Sequence, residues 1–220
     1  MARIVPFERG IEEALEVLGS GGVVAHPTET VYGLGADPWD PEAVEKVRRI
    51  KGRAQGKGFI LVISDVGMLE GLVDEVPEVF QVLSERFWPG PLTLVLKAGP
   101  KAPSWCEGTV AVRVPGHGGL RKLIATFGRA IISTSANLSG GKPAETAEEV
   151  ARNLEGVDLI LDGGRCSGPP STILDLSFGR PRILRRGRID EQTLKIIRRR
   201  LWKGRCSGSK GPDPRTPRRP

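Results

Sequence analysis

The chain has 220 residues, 39% hydrophobic and 27% charged, a balance that allows one sizeable buried core and makes a single domain the default. No run approaches the ~18 consecutive apolar residues of a membrane span, and residues 1–10 lack the basic-then-apolar pattern of a secretory signal. The formal charge of +7 belongs to one end: Arg198 to Pro220 holds nine Lys or Arg and one acid, +8, while the other 197 residues carry 24 bases and 25 acids, −1.

In chain order, Ile11, Ala14, Leu15 and Leu18 recur at helical spacing and predict a helix over Gly10–Leu18. Gly19-Ser20-Gly21-Gly22 then precedes a strand rather than opening a helix, so it reads as a turn and not as a phosphate loop. Val23-Val24-Ala25 predicts a buried strand. It runs into His26-Pro27-Thr28-Glu29-Thr30-Val31-Tyr32-Gly33-Leu34-Gly35, the stretch around which the rest is arranged. Polar groups crowded against the end of a core strand are costly unless something binds there. The two glycines suit backbone that approaches a ligand or needs positive φ. For this stretch alone, a hairpin with satisfied turn residues competes.

Asp40-Pro41 is an N-cap and first-turn pair for a helix through Ala43, Val44, Val47 and Ile50. That helix delivers Lys51-Gly52-Arg53 ahead of the strand Phe59–Ile63. A lysine and an arginine at a Gly-rich turn suit polyphosphate oxygens, whereas Arg48 and Arg49 read as a solvated face. Helices are predicted over Val66–Val73 and Val76–Phe87, stopped by Trp88-Pro89-Gly90-Pro91. Trp88 could stack on a base, but beside Pro-Gly-Pro a core plug is the commoner role. Strands follow at Thr93–Leu96 and Thr109–Pro115, the second carrying Arg113 among apolar residues. Such an arginine either pairs with a core acid or holds an anionic ligand.

A helix at Gly119–Phe127 and a strand at Ala130–Ile132 lead into Ser133-Thr134-Ser135-Ala136-Asn137-Leu138-Ser139-Gly140-Gly141. These uncharged donors can grip phosphate or carboxylate oxygens, with a plain cap and turn as the alternative. Thr146 caps a helix over Ala147–Leu154, with Glu149 at the capping-box position. Strands are predicted at Leu159–Leu161, Ser171–Leu176 and Ile183–Gly187, and Asp190 caps a final helix over Glu191–Trp202. Residues 203–220 have no apolar periodicity and are expected to be a disordered basic tail. The alternation predicts an α/β (α+β mixed) domain with a mixed sheet and flanking helices. Cys106, Cys166 and Cys206, with only His26 and His117, argue for reduced cytosolic thiols and against a zinc site.

No Walker A, G-x-S-x-G, paired-His zinc motif or dinucleotide fingerprint is present. Strand ends rich in hydroxyls, amides, glycines and isolated bases bind anions and stabilise developing charge. Nucleotidyl or phosphoryl transfer needs chiefly that.

The central stretch, Lys51-Gly52-Arg53, Trp88-Pro89-Gly90-Pro91-Leu92-Thr93, Val112-Arg113-Val114-Pro115, Ser133-Thr134-Ser135-Ala136-Asn137 and Ser171-Thr172-Ile173 strongly resemble the YrdC-like family, in its order and over roughly residues 5 to 188. The resemblance is to its short, single-domain members. It implies a YrdC-like domain over 1–202, with a twisted, largely open mixed sheet and a concave binding face, and a tail over 203–220. It implies a cytoplasmic nucleotidyltransferase that joins L-threonine, bicarbonate and ATP into threonylcarbamoyl-adenylate and releases pyrophosphate. A partner complex would transfer the threonylcarbamoyl group to tRNA. By matching position, Lys51, Arg53, Ser135 and Asn137 fall around the ATP phosphates and reacting carbamate, with Arg185 on the nucleotide. Thr28, Arg113, Ser133 and Ser171 fall around threonine. Mg²⁺ would accompany ATP without protein ligands. Two departures stand out: Lys57-Gly58-Phe59 where relatives usually carry Asn-Pro-Leu, and Val62 where many carry histidine. The rival readings are a YciO-like paralogue and an RNA-binding YrdC-like protein without synthase activity, contacting RNA through the basic tail.

Overall fold

A computed structural model describes residues 2–54, 56, 58–178 and 181–190. All but residue 190 fall in the first of two units, Met1–Ile189 and Asp190–Pro220. The final helix expected over Glu191–Trp202, the boundary at 202 and the basic tail lie outside the described residues.

Strand β1 (Arg3–Pro6) leads through a 3-10 turn at Phe7–Arg9 into α1 (Ile11–Gly19), which buries Ala14 and Leu18. Strands β2 (Val24–His26) and β3 (Gly33–Gly35) pair antiparallel, with His26 opposite Gly33. Helix α2 (Pro41–Lys51) starts where the Asp40 carboxylate accepts from the Glu42 and Ala43 amides at 2.9 and 3.3 Å. It ends at Gly52, whose φ of 54° is left-handed and favours glycine. Next come β4 (Ile60–Val62), a 3-10 turn at Val66–Leu69, α3 (Glu78–Phe87), β5 (Leu92–Lys97) and β6 (Thr109–Arg113). Helix α4 (Gly118–Phe127), β7 (Ile131–Ile132), β8 (Thr134–Ser135) and α5 (Ala147–Asn153) follow. The described strands close with β9 (Leu159–Asp162), β10 (Thr172–Asp175) and β11 (Arg182–Arg185).

The mixed α/β architecture expected from the sequence is present, its strands shared between two mixed sheets. One has the order β1-β9-β2-β3-β8 and the other β11-β10-β5-β6-β4-β7. Strands β7 and β8 lie in different sheets although only Ser133 separates them. The Ser133 amide donates to the Ile60 carbonyl and the Ala136 amide to the Tyr32 carbonyl, both at 2.8 Å. The chain therefore steps from one sheet to the other at a serine. Beneath this step, Leu18 of α1 and Leu120, Leu123 and Ile124 of α4 pack with Val24, Val62, Ile131, Leu159 and Leu161 from both sheets.

Three short strands were not assigned from the sequence, although the hairpin that holds β3 was the competing reading of its stretch. Strand β1 ends in proline, β3 is two-thirds glycine, and β8 is a two-residue piece of the expected hydroxyl loop. Ile4 and Val5 in β1 and Thr134 in β8 favour strand, but the runs are too short to stand out and β3 is mostly glycine, so pairing with distant partners forms all three. The helix expected over Val66–Val73 is only the 3-10 turn. The Asp65 carboxylate draws in the Gly67 amide at 2.8 Å and Gly71 sits at φ 75°, which ends any helical run.

Leu34, fully buried in β3, carries the hairpin into the core. Leu34→Ala is expected to lose about 2–5 kcal/mol in urea unfolding, and Asp40→Ala about 1 kcal/mol through its lost cap.

Candidate functional site

The hairpin after β2 is built around His26. A Cβ on Gly33 would lie 2.8 Å from His26 Cε1 and 2.9 Å from Ser133 Oγ, and one on Gly35 would lie 3.1 Å from His26 Cδ2. Neither glycine has positive φ. Their first duty is thus to admit a buried imidazole rather than to allow positive φ, and of the two Gly33 also lines the cleft described below. Burial pushes the His26 pKa down to about 4, so the ring is neutral at pH 7. Tyr32, buried next to it, donates its hydroxyl to the Gly164 carbonyl at 2.9 Å and accepts from the Gly163 amide at 3.3 Å, fixing the hairpin to the end of β9. The Thr28 hydroxyl closes the turn, donating to the Val31 carbonyl at 2.7 Å and accepting from the Thr30 and Val31 amides at 3.1 and 3.2 Å.

Where the chain crosses between the sheets lies a cleft of about 580 Å³. Thr28, Arg53, Arg113, Ser133, Ser135, Asn137, Ser171 and Arg185 all line it. Lys51 is not among the lining residues. It is buried, and its ammonium donates to the carbonyls of Ser135 and, at 2.9 Å, Asn137. Burial first, and the Arg53 charge second, bring its pKa down to about 8. The sequence placed Lys51 at a helix end, as a cation for polyphosphate oxygens. Its burial makes it a structural residue as well.

The Asn137 amide donates to the Leu138 and Gly141 carbonyls at 2.6 and 2.9 Å, while its Oδ1 is buried without a partner. Arg53 donates to the Gly58 carbonyl at 2.7 Å and lies over the Phe59 ring, 4.9 Å from its centroid. Arg48 lies over the same ring at 5.0 Å and is buried, so it is no solvated face. On the other side, the Ser171 hydroxyl lies 2.8 Å from that of Thr93. Arg185 donates to the Ser171 hydroxyl at 3.0 Å and to its carbonyl at 3.1 Å. Arg113, left open between two roles by the sequence, takes a partner: it is ion-paired with Glu29 and donates through Nε to the Gly90 carbonyl at 3.1 Å. It lines the cleft nonetheless.

Sequence reasoning missed Glu29, Phe59 and Trp105 as individual site residues. Phe59 and Trp105 line the cleft with their rings edge to face at 5.9 Å, and Trp105 donates to the Pro38 carbonyl at 2.8 Å. Glu29 stood inside the central stretch with nothing local to single it out. Trp88 is the plug: its indole donates to the Leu92 carbonyl at 2.6 Å and packs edge-on to Phe80. Val62 lies in the hydrophobic core and is not among the residues that line the cleft.

Among the described residues, the buried side-chain polar atoms without a partner are His26 Nε2, Glu29 Oε2, Arg53 Nε and Asn137 Oδ1, all in the hairpin or the cleft. Unsatisfied buried groups are rare in folded proteins, and their gathering here marks the site. Burial pushes the Cys106 thiol at the cleft wall up to about 12, so it is not a ready thiolate nucleophile. No group of three or more His, Cys, Asp or Glu among the described residues is arranged to hold a metal, and no described helix is long and apolar enough to cross a membrane. Cations, amides and hydroxyls around a polar cleft bind anionic groups and stabilise charge shifting between oxygens.

A protein-family model described as telomere recombination, covering the Sua5/YciO/YrdC domain, matches residues 16–187. The threonylcarbamoyl-AMP synthase of Pyrococcus abyssi is 40% identical over 90% of this chain, and that of Methylococcus capsulatus 42% identical over 76% of it. The chain spans 61% of the length of the first and 92% of the second. Among solved structures, P. abyssi Sua5 complexed with L-threonine superposes with a TM-score of 0.82 at 38% identity, over 89% of this chain and 61% of that one. E. coli YciO superposes with a TM-score of 0.77 at 31% identity, over 86% of this chain and 98% of that one. With the family model matching residues 16–187 and relatives about 40% identical over most of the chain, the chain belongs to the Sua5/YciO/YrdC family.

Proposed function

We propose that the cleft joins L-threonine, bicarbonate and ATP into threonylcarbamoyl-AMP, releasing pyrophosphate and water, as a nucleotidyltransferase. The observation that carries this reading is the meeting in one cleft of Arg53, Arg185, Ser135 and Asn137 with Thr28, Arg113, Ser133 and Ser171, over a buried Lys51. Threonylcarbamoyl-AMP synthases among the relatives, and L-threonine in the P. abyssi structure, support the substrate pair.

The amine of threonine and bicarbonate give a carbamate. A carbamate oxygen attacks the α-phosphorus, the bond to the β-phosphate oxygen breaks, and pyrophosphate leaves with that electron pair. No enzyme nucleophile is needed. The protein's task is to hold two anions together and absorb the charge that moves to the leaving group. Arg53 and Arg185 are assigned to the nucleotide phosphates, Ser135 and Asn137 to the reacting carbamate, and Arg113 with Thr28, Ser133 and Ser171 to threonine. Lys51 supplies positive charge beneath the loop and fixes its carbonyls. Mg²⁺ would travel with ATP on phosphate and water oxygens and neutralise phosphate charge. Transfer to tRNA would fall to a partner complex. The second reading, a YciO-like protein with another substrate, is favoured by the likeness to E. coli YciO, 98% of which this chain covers.

Pyrophosphate release from ATP by the full chain tests the first reading. Release that needs threonine and bicarbonate together is expected; none under any condition, with ATP still bound, would transfer the assignment to the second. Lys51→Met is expected to lower kcat/KM at least ~100-fold, since charge stabilisation is removed at the transition state. It should also lower stability by about 1–3 kcal/mol, because two carbonyls lose their donor. The depressed Lys51 pKa adds a pH dependence. Its charged form is disfavoured in the fold, so the stability penalty is complete below about pH 8 and fades as pH rises toward the unfolded value of 10.5. Activity should move the other way, kcat/KM for ATP falling above about pH 8 as the ammonium is lost.

A further inference from the structure

We infer that Glu29 sets the charge accepted beside Arg113, so that this part of the cleft takes a zwitterionic amino acid in preference to phosphate. The inference rests on the synthase reading of the cleft. Arg113 is 6% exposed and spends Nε on the Gly90 carbonyl and one Nη2 hydrogen on Glu29. An arginine has five N–H donors, so the Nη1 pair and the second Nη2 hydrogen remain. They form the edge that grips a carboxylate or a phosphate equally well.

Geometry alone therefore does not choose between those anions. The field does. Arg185, pinned to Ser171, stands close enough to Arg113 that the two guanidinium charges oppose each other. Two such charges at a low-dielectric wall favour a dianion. Glu29 returns one negative charge to the pair. Its side chain is seated against Gly116, where a Cβ would lie 3.0 Å from both Glu29 Cδ and Cγ, and Arg188 holds its backbone carbonyl at 2.5 Å. Its second oxygen is buried with no partner. An ion pair built for stability would satisfy that oxygen, because the desolvation of a half-paired carboxylate works against folding. Retaining it fits a role in the field of the cleft. Threonine at neutral pH has no net charge, so Glu29 costs it little, whereas HPO₄²⁻ is repelled in proportion to its two charges.

Calorimetric titration of the full chain with L-threonine, and with inorganic phosphate in competition, tests this. In Glu29→Gln the ratio of the phosphate Kd to the threonine Kd should fall at least ~10-fold relative to the unmodified chain, the size expected for removing a unit charge a few ångströms from a dianion. Mere disruption of the subsite would weaken both ligands and leave the ratio in place, and an unchanged ratio overturns the inference. Glu29→Asp keeps the charge and shortens the reach, so its ratio should stay within about threefold of the unmodified chain. A fall in Glu29→Asp as large as that predicted for Glu29→Gln would assign the effect to contact rather than charge and overturn the inference, which keeps it testable even should Glu29→Gln fail to fold. An unmodified chain that binds no threonine overturns the synthase reading and the inference together. Threonine binding with an unmoved ratio overturns the inference alone.

Discussion

The Lys51 ammonium bonded to the carbonyls of Ser135 and Asn137 is the contact on which the rest of the cleft depends. It joins the last turn of a helix to the segment that has just crossed from one sheet to the other. The return contact, the Ser139 amide on the Lys51 carbonyl at 2.8 Å, makes the joint reciprocal. A desolvated ammonium is an expensive way to fix a loop when a neutral donor could satisfy the same carbonyls. What it adds is a positive charge directly below the groups assigned to the reacting centre, in a place that water reaches poorly. Structure and chemistry are thereby carried by one side chain.

A similar economy runs through the hairpin. His26, neutral and buried, takes up the space that Gly33 and Gly35 leave, and Tyr32 bolts the turn to the end of β9. Thr28 spends its hydroxyl on its own turn and still faces the cleft. The polar density of this stretch is therefore mostly consumed in making a rigid wall. The ligand-facing share runs from Thr28 through Thr30, Val31 and Tyr32 to Gly33, beside one side of Arg113 and the hydroxyls where the sheets meet. Rigid walls with few free donors suit a reaction whose catalysis is alignment and charge neutralisation.

Cations surround the cleft, and each is restrained by something other than a ligand. Arg53 lies on Phe59, Arg185 on Ser171, Arg113 on Glu29 and Lys51 on two carbonyls. Preorganised charge of this kind need not reorient when substrate charge shifts, which is the physical advantage of a protein site over water. The buried atoms left without partners, on Glu29, Arg53 and Asn137, are the residual cost of holding these groups ready.

By itself the sequence determined the α/β class, most helices, the central strands and the stretches that meet at the cleft. These are written in local chemistry: the Asp40 cap, the apolar spacing of α1, α2 and α4, and the hydroxyls that follow Ile132. Other features depended on partners far away in the chain. Arg113 stood open between an ion pair and a ligand contact until Glu29, 84 positions earlier, was seen paired with it at the cleft wall. Lys51 read as a phosphate-binding cation until its ammonium was seen buried on the carbonyls of Ser135 and Asn137. The strands at Arg3–Pro6, Gly33–Gly35 and Thr134–Ser135 are too short or too rich in glycine to be read locally, and they exist because neighbours offer hydrogen bonds. Propensity and periodicity are properties of adjacent residues, whereas the pairing of charges and the step from one sheet to the other are set by contacts made only when the whole domain closes.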